Sequence, residues 1–190
     1  MQVNIPLLAK ICEVPGTSGF ENEVRKIVYE ELKSEDLTIE TDNLGNVYAI
    51  KKGKDSSKRV MIGAHMDEIG FIVKYIDDNG FIRFHTLGGF DPKTLTAQRV
   101  IVHGKKDLLG VMSSKPIHIM TPEERNKVAQ ISDYFIDLGM PADEVKALVQ
   151  VGDPITRERT LVEMGNCVNC KSIDNRVAVY ILIETLKALK

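Results

Sequence analysis

The spacing of apolar and polar residues predicts an α/β arrangement in the first part of the 190-residue chain. A short helix is expected over Ile5 to Cys12, with Pro6 in its first turn. Ser18 and Glu21 fit a capping box, which predicts a second helix through about Lys33. Three strands should follow, the last of them mostly apolar and therefore typical of a buried strand: Leu37 to Thr41, Val47 to Lys51 and Arg59 to Ala64.

From Phe71 onward the pattern changes to short strands separated by glycine, which predicts a small, mostly β unit. FIVKYI and FIRFHTL flank Asp77-Asp78-Asn79-Gly80, a composition typical of a hairpin turn, and RVIVHG and LLGVM have the same strand character. Tyr134 to Leu138 alternates like a further strand. Helices are expected to begin at Thr121, with its following proline and acidic residues, and over Pro141 to Leu148.

The last segment, SIDNRVAVYILIETLKALK, predicts a long helix whose apolar residues cover most of its circumference. Such a helix needs packing partners on several sides. The α/β portion, residues 1–69 and 164–190, offers only three predicted strands and three predicted helices. We therefore expect that further strands or covering helices belong to this portion and are missing from it.

The composition excludes several classes of function. Hydrophobic residues make up 43% of the chain and charged residues 27%, as in ordinary globular proteins. The formal net charge of −2 leaves no concentrated basic surface, which argues against nucleic-acid and membrane partners. The longest apolar run, Val177 to Ile183, is far shorter than the ~20 residues that span a bilayer, and the N-terminus lacks the basic segment of a secretory signal.

The three cysteines are an odd number in a chain too large to need disulfides, which favours a reducing, cytoplasmic location. Cys167 and Cys170 form a CVNC motif. Neither the second cysteine pair of a zinc ribbon nor the strand-to-helix junction of a thioredoxin-like site accompanies it. We therefore expect two reduced thiols in a strand or turn near the surface.

The segment GAHMDEIG carries the first candidate site. Side chains two apart on a strand point the same way, so that His65 and Asp67 would converge if the strand stays extended. An imidazole and a carboxylate are suitable ligands for zinc or cobalt, with Asp67 either ligating directly or orienting His65. The alternative is a hydrogen-bonded histidine near the core, with Asp67 and Glu68 at the start of a solvated loop, and this motif by itself favours neither interpretation.

Asp174 is the second candidate, at the start of the terminal helix. A carboxylate there is able to bridge two cations, with its charge stabilised by the helix N-terminus. By itself, however, an aspartate before an apolar helical run is typical of an N-cap. His85, His103 and His118 lack a nearby carboxylate or thiol at ligand spacing, and we expect them to be exposed strand or turn residues.

The ordered motifs of the chain resemble those of one family. They are TSGFENEVR, DNLGNV, GAHMDEIGFIV, LGGFDPKTL with QRV after it, KPIH before TPEER, VGDPIT, and SIDNRVAVYILIETLK. In this order they resemble the di-metal aminopeptidases that include glutamyl aminopeptidase and the tetrahedral TET peptidases, some members of which are labelled endoglucanases. The resemblance extends from Ile5 to Lys190.

The resemblance implies a function for each candidate residue. In the family, the histidine matching His65 binds one of two divalent ions, zinc or cobalt, the aspartate matching Asp67 supports catalysis at the site, and the aspartate matching Asp174 bridges both ions. It also implies an α/β fold: an α/β/α zinc-peptidase domain, here incomplete, from residues 1–69 and 164–190, with an inserted β-barrel-like domain over 70–163. The inserted domain would help to build a homo-oligomer, from a dimer to a dodecamer, and shape access for peptide substrates.

The chain departs from the family at its end. The family continues into a Glu-Glu pair, whose first member is the general base and whose second is a ligand, and then to a further Asp and His ligand. None of these has a counterpart here. The chain therefore resembles a fragment of a cytoplasmic, metal-dependent aminopeptidase that lacks its C-terminal half and part of the active site.

Two other hypotheses remain open from the residues. In the first hypothesis, the chain is an assembly or regulatory module that joins a full-length paralogue without catalysing a reaction. In the second, it is a glycan hydrolase that uses two carboxylates. The second of these has little support, because no run of sugar-stacking aromatic residues is present and the chain contains no tryptophan.

Overall fold

The computed structural model describes residues 3–34, 36–55 and 57–189, which form two compact units. The first contains Met1–Glu68 and Thr160–Lys190, and the second contains Ile69–Arg159. The domain boundaries expected from the sequence stay a prediction, because compactness alone does not decide which segments fold independently. Among the described residues, no helix has the length and apolar character needed to cross a membrane.

The α-helices, numbered α1 to α5 in chain order, are Ile5–Glu13, Asn22–Leu32, Pro122–Arg125, Ala142–Leu148 and Ile173–Ala188. The strands, numbered β1 to β10, are Leu37–Thr41, Val47–Lys51, Gly70–Ile76, Ile82–Leu87, Arg99–His103, Asp107–Ser113, Phe135–Asp137, Pro154–Arg157, Val162–Met164 and Cys167–Asn169. Short 3₁₀ helices lie at Pro92–Thr94, Ile117–Ile119 and Ile131–Asp133.

The first unit has a core formed by α1, α2 and α5. The Asn4 side chain caps α1 by accepting a hydrogen bond from the backbone N–H of Leu7, with Pro6 in the first turn as predicted. The buried core includes Ile11 of α1, Ile27 of α2 and Ile183 of α5, with β1 and β2 contributing partly buried residues. The predicted helices and the first two predicted strands are therefore confirmed.

The predicted third strand, Arg59 to Ala64, is wrong. These residues have no regular secondary structure, and their apolar side chains lie in solvent: Val60 is 88% exposed, Met61 90% and Ile62 62%. A strand requires a neighbour to satisfy its backbone N–H and C=O groups. The sheets of this unit, within the described residues, are the hairpins β1–β2 and β9–β10, and neither pairs with this segment.

The second unit is a closed barrel of six strands in the order β3-β4-β7-β6-β5-β8, with antiparallel pairing throughout. Alternate side chains point inward, as along β6, where Leu108 and Met112 are buried and Leu109 and Val111 are exposed. The prediction of mixed α/β content with a small barrel-like β unit is thereby confirmed. The α/β/α description of the other unit stays a prediction.

A correction concerns His103, which was expected to be exposed and without a carboxylate partner. Its Nδ1 lies 2.7 Å from Asp107 Oδ1 and its Nε2 lies 2.9 Å from Thr156 Oγ1, and only 16% of its side chain is exposed. The hairpin of β5 and β6 places His103 directly opposite Asp107. The two residues are only four apart in the sequence, and the hairpin register brings their side chains together.

The barrel core generates a first prediction. Ile136 is fully buried on β7 and lies opposite Ile82 of β4 and Met112 of β6. Ile136→Ala should lower the free energy of opening of the barrel amides by about 2 to 5 kcal/mol, because it removes buried apolar surface and leaves a cavity. Amide hydrogen exchange measures this change. Leu109→Ala, on the exposed face of β6, is the control, and an equal loss there would contradict the inward packing of Ile136.

The cysteines generate a second prediction. Cys12 is completely buried, and burial, reinforced by the nearby Cys170, raises the pKa of its thiol to about 11. Because the thiolate is the reactive form, Cys12 should resist maleimide labelling at pH 8 until the protein unfolds. Exposed Cys167 should be labelled in the native state. Mass spectrometry after timed labelling distinguishes the two, and rapid native labelling of Cys12 would contradict the structure.

Candidate metal centre

The candidate site joins two segments that are far apart in the sequence. His65 Nε2 lies 3.3 Å from Asp174 Oδ1, although 109 residues separate them. Asp174 lies in the first turn of α5, but Ser172 occupies the N-cap position and the Asp174 backbone is not helical. Its side chain is 96% exposed. The structure therefore gives Asp174 a different environment from that of an ordinary capping residue.

Asp67 contacts the opposite side of the imidazole. His65 Nδ1 lies 2.9 Å from Asp67 Oδ1, so that in the neutral tautomer with Nδ1 protonated the ring donates a hydrogen bond to this carboxylate. Nε2 then keeps a lone pair on the side of Asp174. Asp67 does not face Nε2, so this arrangement suits it to orienting His65.

Ser18 is a site residue that the sequence analysis missed. Its hydroxyl donates a short hydrogen bond to Asp67 Oδ2 and does not cap α2, whose N-cap is Glu21. Glu21 instead accepts a hydrogen bond from the backbone N–H of Gly19. The predicted capping box is therefore wrong, although the helix is present, because the hydroxyl finds a charged acceptor from a distant segment.

Hydrogen bonding dominates the electrostatics of the site. Partial burial would lower the pKa of His65, but its contacts with Asp67 and Asp174 outweigh this effect and raise it above the usual value. Partial burial would likewise raise the pKa of Asp67, and the hydrogen bonds with Ser18 and His65 outweigh it and lower the pKa. In the absence of metal, the two carboxylates therefore stabilise the protonated form of His65 more than solvent would.

The donor atoms suit a divalent metal in kind but not in number. Imidazole nitrogen and carboxylate oxygen are ordinary zinc ligands, and zinc takes about four donors. Within residues 3–34, 36–55 and 57–189, no group of three or more His, Cys, Asp or Glu side chains is arranged to hold a metal ion. His65 and Asp174 fit two positions of such a site.

Comparison with known proteins gives consistent matches. A profile of the M42 glutamyl aminopeptidase family matches residues 45–190. A candidate aminopeptidase of Acetivibrio thermocellus is 37% identical over 185 residues, which cover 97% of this chain and 53% of that protein.

Solved structures agree with these matches. The TET aminopeptidase of a Thaumarchaeota archaeon from marine sediment has a TM-score of 0.90 and 36% identity, with 96% of this chain and 52% of that chain covered. The TET1 peptidase of Pyrococcus horikoshii has a TM-score of 0.85 and 31% identity, with 97% of this chain and 56% of that chain covered. It is described as assembling into a tetrahedron or a large octahedral shell. This chain therefore spans about half the length of these proteins.

The hydrogen bonds of His65 generate a third prediction. In the metal-free protein, Asp67→Asn should lower the pKa of His65, because it removes the negative charge that stabilises the imidazolium. An NMR titration of the imidazole signals measures this shift. Glu40→Gln, which removes an exposed carboxylate of β1, is the matched control. An unchanged His65 titration in Asp67→Asn would contradict the contact.

Proposed function

The chain belongs to the M42 glutamyl aminopeptidase family, and from this we propose that it carries part of the active site of a metal-dependent aminopeptidase. The reaction is the hydrolytic removal of residues from the N-terminus of peptides. The observation that carries the proposal is the approach of His65 Nε2 to within 3.3 Å of Asp174 Oδ1. Two groups of the right chemistry converge there from segments far apart in the sequence.

Each site residue has a distinct role in this proposal. His65, through Nε2, and Asp174 hold zinc or cobalt, and Asp67 orients the imidazole by accepting a hydrogen bond from Nδ1–H. Ser18 fixes Asp67 in turn. When bound, the divalent ions would polarise the scissile carbonyl. They would also lower the pKa of a water molecule, which makes hydroxide available as the nucleophile. Because the metal takes the position of the Nε2 proton, His65 must lose that proton before it ligates.

The proposal includes ligands from outside the described residues. His65 and Asp174 supply fewer donors than a zinc ion needs, and the sequence has no counterpart of the family's Glu-Glu pair. This chain matches only about half of the length of its relatives. We propose that the general base and the remaining ligands come from polypeptide equivalent to the other half, and that the 190 residues alone do not turn over peptides.

A homo-oligomer in the cytoplasm is part of the same proposal. The support for an oligomer is the TET1 peptidase of Pyrococcus horikoshii, which is described as assembling into a tetrahedron or a large octahedral shell. The support for a cytoplasmic location is the odd number of cysteines, which are free within the described residues. Peptides are the expected substrates.

One observation favours a second candidate function, that of a non-catalytic assembly module. The consecutive apolar side chains of Val60, Met61 and Ile62 are 62 to 90% exposed. Contiguous exposed apolar surface of this kind is typical of protein contacts. In this alternative, the segment joins a full-length paralogue, and the residues of the metal site are not used.

Complementation generates the fourth prediction. The purified chain with zinc or cobalt should show no aminopeptidase turnover on a chromogenic aminoacyl substrate. Turnover should appear when the chain is mixed with a polypeptide equivalent to the part of the Acetivibrio thermocellus relative that it does not cover. Because His65 is a proposed ligand, His65→Ala should lower that turnover on the order of 100-fold or more.

The exposed His118 provides the control, since His118→Ala should leave the complemented activity unchanged. Robust turnover by the chain alone would contradict the need for additional ligands. Entry of the chain into a paralogue's particle in size-exclusion chromatography with light scattering, without turnover and without an effect of His65→Ala, would favour the assembly module.

A further inference from the structure

A buried carboxylate lies directly beside the candidate metal centre. Glu68 follows Asp67 and was a candidate for a solvated loop, but it is only 3% exposed. Its Oε1 lies 2.5 Å from Lys171 Nζ and 3.5 Å from Arg176 Nη2, and its Oε2 accepts a 2.8 Å hydrogen bond from the Ser172 hydroxyl. A carboxylate this deeply buried requires such partners, because its loss of hydration is otherwise very unfavourable.

Arg176 hydrogen-bonds backbone carbonyl groups around Glu68. It is completely buried, and its guanidinium donates to four carbonyl oxygens. Nε donates to Met66 at 2.9 Å, Nη1 to Ile11 at 3.0 Å and Val14 at 2.5 Å, and Nη2 to Gly16 at 3.3 Å. The planar fork of an arginine is suited to several fixed acceptors at once, which a lysine cannot match.

These contacts coincide with the positions of the candidate ligands. Met66, whose carbonyl accepts from Arg176, lies between His65 and Asp67 in the sequence, and Arg176 itself lies two residues after Asp174. The segment 14–18 is held in place as well, because the Gly16 carbonyl oxygen accepts a 2.8 Å hydrogen bond from the backbone N–H of Glu68. One ion cluster thus fixes the backbone on both sides of the His65–Asp174 pair.

Asp174 has little side-chain support, and the side chain of His65 is held on one side only, by Asp67. Asp174 is 96% exposed and His65 54% exposed, whereas the cluster residues Glu68, Lys171 and Arg176 have side chains 0 to 3% exposed. The separation of the two ligands is therefore determined mainly by the positions of their backbones. Metal sites lose affinity when the groups that orient their ligands are removed.

We propose that Glu68, Lys171, Ser172 and Arg176 form a positioning cluster that holds His65 and Asp174 at metal-binding separation. The inference rests on the proposed function, because it assigns the ligand pair to a metal. None of the four residues is a ligand or a catalytic residue in this inference. Their effect on metal passes through the backbones of residues 65–67 and 172–176.

Zinc binding by the full 190-residue chain, mixed with the complementing polypeptide that supplies the remaining ligands, tests the cluster. Arg176→Lys keeps the positive charge near Glu68 but loses the fork that contacts the carbonyls, and it should raise the zinc dissociation constant about tenfold or more. The titration is followed by the imidazole NMR signals of His65 and by the visible spectrum of the cobalt-loaded protein. Both signals report ligand geometry, which a uniform loss of stability does not change while the protein is folded.

Ile183→Val is the matched control for stability. Ile183 is a buried residue of the same helix, and its shortening should cost about 0.5 to 1.5 kcal/mol without moving the ligands. We expect it to leave the zinc dissociation constant and the cobalt spectrum unchanged. Equal weakening in Ile183→Val and Arg176→Lys would overturn the inference, and so would unchanged zinc binding in folded Arg176→Lys.

Two further variants complete the test. If Arg176→Lys does not fold, the same measurements are made on Ser172→Ala, which removes only the hydroxyl bonded to Glu68. We expect this variant to weaken zinc binding about threefold or more. His65→Ala separates the inference from the proposed function. Zinc binding that survives His65→Ala would overturn the metal site itself, whereas loss in His65→Ala with normal binding in the cluster variants would overturn only the positioning cluster.

Discussion

The buried contact between Glu68 and its two cationic partners is the interaction on which the candidate site depends. Arg176 lies near the beginning of α5, Lys171 lies two residues before that helix, and Glu68 comes from the segment that carries His65 and Asp67. Removing the Glu68 carboxylate would leave two buried cations without an anionic partner, which is far less favourable than breaking a surface ion pair. The cluster therefore constrains two distant segments to one arrangement.

The supporting residues and the reactive groups have opposite environments. The cluster is almost completely buried, while Asp174 and His65 lie in solvent. This division suits a metal centre, since rigid, buried hydrogen bonds fix the geometry and the exposed donor atoms stay available to an ion and a substrate. It also explains why the site is recognisable without the remaining ligands: the backbone of both segments is fixed by interactions within this chain.

Much of the local structure follows from the sequence, and the errors have a common cause. Pro6 and Asn4 specify the start of α1, and Asp77 to Gly80 specify the β3–β4 turn, because each acts on its immediate neighbours. Ser18, His103 and the segment Arg59 to Ala64 were predicted incorrectly. Ser18 and His103 bond groups from other strands or segments, and the apolar segment has no paired neighbour within the described residues. Local patterns carry no information about a partner as distant as Asp67 is from Ser18, whereas Asp107 lies only four residues from His103 and is brought opposite it by the hairpin.

The sequence by itself determined the helices, the first two strands, the presence of a small β unit, and the residue types suited to a metal site at His65, Asp67 and Asp174. Tertiary structure decided that His65 and Asp174 meet, that Asp67 lies on the other side of the imidazole, and that Glu68 is buried. The physical reason is the range of the interactions. Helix caps, turns and apolar periodicity act over a few residues, whereas a contact across 109 residues exists only once the chain has folded around its buried charges.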